Sequence, residues 1–312
     1  MQKKISNKSY LYWTNRQRKT GQRRCMSMHL TPQAFQHMPD EKKEDSIFLG
    51  WEWEIDTYED YTTDPSATPT AMLIKEAMRI PELRKFVNFG RFGNPIELRS
   101  IPATMKFHRD YMKRCFFGNN LHTKYLRPPT GCGIHVHIDK KAFDKLSLGK
   151  FIHFLCTPEN QAFVSKIAGR AVSVHADWCK PNNLPVELDD ELKAINLPDG
   201  APKRKSVAIN TDTGFDTVEL RIFASVLTER AFLKNLEFVD ALIRYVRVHS
   251  LSDLKPEPFA RWVIQKADDY PNLVTIIQRK RSRLHELVKG IYKEAKAKRT
   301  AKRPKVSQGQ VA

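Results

Sequence analysis

His135 and His137 stand one residue apart in the stretch GCGIHVHID, Gly131 to Asp139. An imidazole can ligate a metal, carry a proton or sit on the wet side of a strand, and His-x-His alone leaves all three open. Three further stretches bear on the choice, because each carries chemistry on alternate residues. In FLGWEWEID, Glu52, Glu54 and Asp56 alternate with Trp51, Trp53 and Ile55. In PIELRSI, Glu97 and Arg99 alternate with Ile96 and Leu98; in DTVELRIFA, Glu219 and Arg221 alternate with Val218, Leu220 and Ile222. Side chains alternate across a strand with period two. Each stretch therefore reads as a strand with one apolar face and one face of carboxylates, imidazoles and guanidinium groups.

An ordinary half-exposed antiparallel sheet would also alternate. It would not favour this content. Exposed strand faces carry Thr, Ser, Lys and Gln, and carboxylates are depleted in strands. Carboxylates laid side by side repel unless cations lie between them. Several glutamates with histidine, and no thiolate, form the donor set for Mg²⁺ or Mn²⁺. Arginines interleaved with that set fit a phosphate or a substrate carboxylate held beside the metal. The sequence contains neither a G-x-S-x-G elbow nor a P-loop. Phosphoryl transfer needs neither, since positioning and charge neutralisation carry most of it.

Taken in order, GWEWEID, IELRSIP, GCGIHVHID and SVAINTDTGFDTVELRIF resemble the amidoligase family. That family belongs to the carboxylate–amine ligase superfamily, with a fold like glutamine synthetase and glutamate–cysteine ligase. The resemblance spans about residues 47–250 and neither end of the chain. It implies an α+β fold whose antiparallel β-sheet has helices on one face and binds ATP with Mg²⁺ (or Mn²⁺) on the other. It also implies an activity: a carboxylate is activated as an acyl phosphate, which an amine attacks to form an amide. The resemblance makes Glu52, Glu54, Glu97, His135 and Glu219 metal ligands. It makes His135, His137, Arg221 and, on weaker matches, Arg170 and Asn210 contacts to nucleotide or substrate. Glu52, Glu54, Glu219 and Arg221 are the catalytic set that it implies. In one place the chain departs from the pattern. The family carries an Asp-x-Ser element before the E-x-x-S-P motif, whereas FVNFGRFGNPIELRS has Arg91 and Asn94 there and no Asp.

Two rival readings follow from the same residues. A decayed ligase fold that binds nucleic acid or acts structurally would fit the missing Asp. A nicking endonuclease also uses His-hydrophobe-His, but it needs a nucleophilic tyrosine in Tyr-x-x-Lys. YVRVHS at Tyr245 and YKEAK at Tyr292 do not supply that spacing, and the glutamate pairs would be left unexplained.

The elements that must position these residues divide the chain into three parts. Residues 1–45 form a basic N-terminal arm, 46–250 an amidoligase-like catalytic domain, and 251–312 a helical basic C-terminal extension with a disordered tip. Periodicity predicts helices at 68–87, 104–115, 143–156, 158–170 (stopped at Gly169), 228–250, 257–269 and 271–298. Loops rich in Pro and Asn, KPNNLPVELDD and LPDGAPKRK, read as mobile or substrate-facing connections. The net charge of +18 resides in two segments: residues 1–24 carry +8, and residues 279–305 carry +10. These ends fit contact with a polyanion such as RNA, DNA or an acidic protein, or else solvated surface. No apolar run is long enough to span a membrane, and the first residues lack the apolar segment of a secretory signal. The five cysteines are odd in number and contain no C-x-x-C. The expectation is a reduced, cytoplasmic protein without a disulfide framework or zinc ribbon. Carboxylate and amine substrates remain unspecified, and a glutamine-synthetase-like fold often forms oligomers.

Overall fold

The period-two alternation becomes a six-stranded sheet in which every pairing is antiparallel. The structure, a computed structural model of the 312-residue chain, describes residues 47–58, 69–77, 79–80, 87–91, 95–127, 131–170, 208–211 and 217–279. The strands are β1 (Leu49–Ile55), β2 (Val87–Arg91), β3 (Ile96–Ser100), β4 (Gly133–Asp139), β5 (Ile209–Asn210) and β6 (Thr217–Ala224), in spatial order β2-β3-β1-β4-β6-β5. The helices are α1 (Pro69–Ala77), α2 (Met105–Tyr111), α3 (Leu121–Tyr125), α4 (Lys145–Cys156), α5 (Pro158–Ala168), α6 (Glu229–Val248), α7 (Pro256–Gln265) and α8 (Pro271–Ile277). The architecture is α+β. The N-terminal arm, both proline- and asparagine-rich loops, Asn94 and the chain beyond 279 lie outside the described residues.

Local chemistry sets several helix ends. Pro158, Pro256 and Pro271 occupy the first turns of α5, α7 and α8, where a missing N–H costs nothing. Asp144 and Ser147 form a reciprocal capping box on α4. Gly169 closes α5 in the left-handed region, at φ 78°. Two expected helices differ in extent. The one anticipated over 68–87 ends at Ala77, and Val87 already belongs to β2. Pro81 in the sequence is incompatible with a helix running through it. The helix anticipated over 104–115 passes from α2 into a π-helical turn, Met112–Phe117, closed by Gly118 N–H donating to Lys113 O at 2.9 Å. That wider turn points Cys115, Phe116 and Phe117 inward together.

The apolar face of the sheet is the core. Trp51 and Trp53 are fully buried and meet Phe232 of α6 at 5.2 and 4.8 Å between ring centroids. Phe116 packs 5.2 Å from Trp53. Each such large side chain, removed from water, stabilises the fold by roughly 1.5–3 kcal/mol. Both indoles also find acceptors: Trp51 Nε1–H donates to His108 Nδ1 at 3.3 Å, and Trp53 Nε1–H to Ser225 Oγ at 3.0 Å. The helices α7 and α8, beyond residue 251, join this same core through Phe259, Val263, Leu273 and Ile277. Two buried carboxylates of α6 tie down the start of α8. Glu237 accepts from Asn272 Nδ2 and Leu273 N–H at 2.7 and 2.8 Å, and Asp240 accepts from Tyr270 OH at 2.9 Å.

Candidate metal centre

The chemistry-bearing face of the sheet lies opposite that core. Strand register places its residues in rows, because directly opposed residues of an antiparallel pair share a face. Arg99 of β3, Glu52 of β1 and His135 of β4 form one row. His137 of β4, Glu219 of β6 and Asn210 of β5 form another. Glu54 stands opposite Glu97. Four separate stretches of sequence thus converge on one patch. Glu52, His135, His137 and Glu219 are each 7% exposed or less.

Ligand atoms of Glu52, His137 and Glu219 all lie within 4.8 Å of one another, and all three residues are buried. His135 sits between the carboxylates, its Nδ1 3.5 Å from both Glu52 Oε2 and Glu219 Oε1. His137 Nε2 lies 3.7 Å from Glu52 Oε1. These approaches are too long or too oblique to close hydrogen bonds. Glu52 Oε1, His135 Nδ1 and both ring nitrogens of His137 are buried without one. Buried polar atoms are nearly always satisfied, and a cluster of exceptions on converging donors is what a site for an ion looks like. The donor set, two carboxylates and an imidazole, suits Mg²⁺ or Mn²⁺.

Cations of the protein itself flank the trio. Arg99 Nε lies 3.4 Å from Glu52 Oε1, and the same guanidinium bonds Glu97. Arg221 Nη1 donates to Glu219 Oε1 at 2.5 Å, and Asn210 Nδ2 to Glu219 Oε2 at 3.0 Å. Burial resists ionisation of Glu52, but the imidazoles of His135 and His137, with Arg99, outweigh it and hold the carboxyl well below its usual range. Burial likewise opposes ionisation of Glu219, and His137, Arg221 and His135 hold it low. Burial and the Glu52 charge push Glu97 up. For His137, burial favours the neutral ring, yet the Glu52 contact and the charges of Glu52 and Glu219 raise its pKa. A proton and a divalent cation compete for that imidazole.

The residues singled out in the sequence fall into three groups. Glu52, His137 and Glu219 make the trio, with His135 and Arg221 against it. The resemblance makes His135 both metal ligand and nucleotide contact and His137 nucleotide contact alone; the imidazole within 4.8 Å of both carboxylates is that of His137. Glu54 and Glu97 lie one row away, where Glu54 Oε2 accepts Gly133 N–H at 3.3 Å. Asn210 orients Glu219, and Arg170 donates to backbone carbonyls of β6, Nε to Ile222 O at 2.9 Å and Nη2 to Arg221 O at 2.5 Å. Arg99 was missing from the expected site set. Its sign was available: Glu97-x-Arg99 repeats the spacing of Glu219-x-Arg221. Where the resemblance leads one to expect an Asp-x-Ser element, β2 pairs with β3, with Arg91 opposite Glu97 across a one-residue bulge at Gly90. No family model matches the chain, and no curated protein matches its sequence.

Proposed function

We propose that this protein is an ATP-dependent carboxylate–amine ligase of the amidoligase kind, on a glutamine-synthetase-like sheet. One observation carries the reading: Glu52, His137 and Glu219, from three adjacent strands, converge within 4.8 Å, with Glu52 Oε1 and both His137 ring nitrogens buried and without a hydrogen bond. The order and spacing of the four motifs supports the same class. A divalent cation bound there would draw charge from the phosphate groups of ATP and so favour transfer of the terminal phosphoryl group. Glu52, His137 and Glu219 would hold that cation. Arg221 and Arg99 stand beside it as guanidinium groups that can pair with phosphate oxygens or with the carboxylate being activated. Their present partners, Glu219 and Glu97, keep them aimed across the face until substrate arrives. Asn210 fixes the orientation of Glu219 from the edge strand. The walls are strands, so the donors are held on a rigid surface and positioning is built in.

The first test is Mg²⁺–ATP binding by calorimetry on the wild type and on Glu219→Gln. The expected outcome is binding that requires the metal and weakens by about tenfold or more in the variant. A well-folded wild type that binds no metal–nucleotide would sink the ligase reading and favour a decayed fold.

A further inference from the structure

Between β4 and β6 the register slips by one residue. Ile134 opposes Phe223, yet Val136 opposes Leu220, so Arg221 and Ile222 together face the single residue His135. The apolar anchors of β6 demand this bulge. Phe223 packs on Phe238 of α6, 6.1 Å between centroids, while Val218 and Leu220 are fully buried on that same side. Strict alternation cannot put residues 218, 220 and 223 on one face. Continuing the Ile134–Phe223 register without a bulge would set Glu219 opposite Ile138, on the helix-covered face and away from His137. The extra residue is thus what lets Glu219 face the candidate metal centre while Phe223 stays in the core. A bulge also leaves ladder groups without their strand partner.

Arg170, one residue past the glycine that ends α5, supplies donors at that place. Its Nε and Nη2 hydrogens go to Ile222 O and Arg221 O, the carbonyls of the two bulged residues. The guanidinium sits against Gly133: a Cβ added there would stand 3.0 and 3.2 Å from its two Nη atoms and 3.2 Å from Phe223 O. Glycine at 133 therefore makes room for the arginine, and Gly133 N–H in turn holds Glu54.

We propose that Arg170 is a positioning residue, clamping the β6 bulge so that Glu219 and Arg221 keep their places beside His135 and His137. Its functional consequence rests on the metal reading above. The hydrophobic anchors hold β6 in the sheet, and the clamp fixes the bulged pair Arg221–Ile222 between them.

The test compares Mn²⁺ binding, by paramagnetic resonance, in wild type, Arg170→Met, Arg170→Lys and Gly133→Ala, well below each melting temperature. Amide hydrogen exchange over 217–224 is measured alongside. Arg170→Met should stay folded, exchange faster in β6 than in α6, and lose Mn²⁺ affinity by about tenfold or more, as loss of a group that orients ligands does. Lysine, with one ammonium for two carbonyls, should recover part of it. Gly133→Ala, which displaces the guanidinium without removing it, should shift affinity the same way by less, and it decides the matter if Arg170→Met does not fold. Wild-type affinity in folded Arg170→Met, or in Gly133→Ala where only that variant folds, overturns the proposal. If the wild type binds no Mn²⁺, the ligase reading fails on its own; β6 exchange then decides the clamp, and exchange unchanged by Arg170→Met overturns it.

Discussion

Glu52 and Glu237 are both buried carboxylates, and they differ in how they are satisfied. Glu237, wholly buried, accepts from Asn272 and Leu273 and lies 3.5 Å from Arg109. Burial pushes its carboxyl up, and these partners only partly offset that. Such a residue serves the fold. Replacing it by Leu leaves a buried N–H and an amide without their acceptor and removes the counter-charge of Arg109, so Glu237→Leu should lower unfolding free energy by about 2–4 kcal/mol in urea melts. Glu52 is surrounded by donors at ion-pair range and leaves Oε1 without a hydrogen bond. Its replacement should spare the fold and damage the site. Glu52→Gln should melt within a few degrees of wild type while losing metal-dependent nucleotide binding. Substantial unfolding would make Glu52 a structural residue instead.

At the level of elements, α2 is docked to β1 through one imidazole. His108 is completely buried; its Nε2–H donates to Leu49 O at 2.7 Å and its Nδ1 accepts from Trp51. The bond from Trp51 requires the neutral ring, because Nδ1 must accept it; the bond to Leu49 O can be made by either form. Burial pulls its pKa from the ordinary 6.5 down to about 4. Below pH 6.5 the unfolded chain takes up a proton there that the folded chain refuses. The contribution is therefore complete above pH 6.5, declines as pH falls, and is gone below about 4. A shift of this size corresponds to about 3 kcal/mol. The stability of a His108→Leu variant should fall less steeply than wild type between pH 7 and 4; parallel curves would mean that the imidazole takes up its proton as readily in the fold as in the unfolded chain. The same docking explains why β1 can carry its glutamates rigidly, since its other face is fixed by two indoles and this histidine.

Over the whole chain, charge and chemistry are separated in sequence. The excess of +18 is carried by residues 1–24 and 279–305, while the candidate centre is drawn from residues 52–219. Deleting 1–24 or 279–312 should therefore leave Mg²⁺–ATP affinity within about threefold. It should weaken binding to a polyanion such as heparin or RNA, with a shallower dependence on salt. Loss of nucleotide binding on deletion would place an end of the chain in the site. No described helix is long and apolar enough to cross a membrane. Alternation alone determined the four chemistry-bearing strands and their two faces, because the side-chain period of a strand is written directly in residue order. Proline, glycine and capping residues likewise marked the starts and stops of α4 and α5. Residue order did not contain the pairing of those strands. That His137 rather than His135 completes the trio, that Arg99 pairs with Glu52, and that Asn210 reaches Glu219 all follow from register between distant segments. The β6 bulge was hidden for a further reason. VELRIF alternates without interruption through Ile222, and Phe223 leaves the polar face only because α6 offers it a place in the core. Faces are a local property of the chain; which faces meet, and in what register, is settled by burying Trp51, Trp53, Phe223 and α6 together.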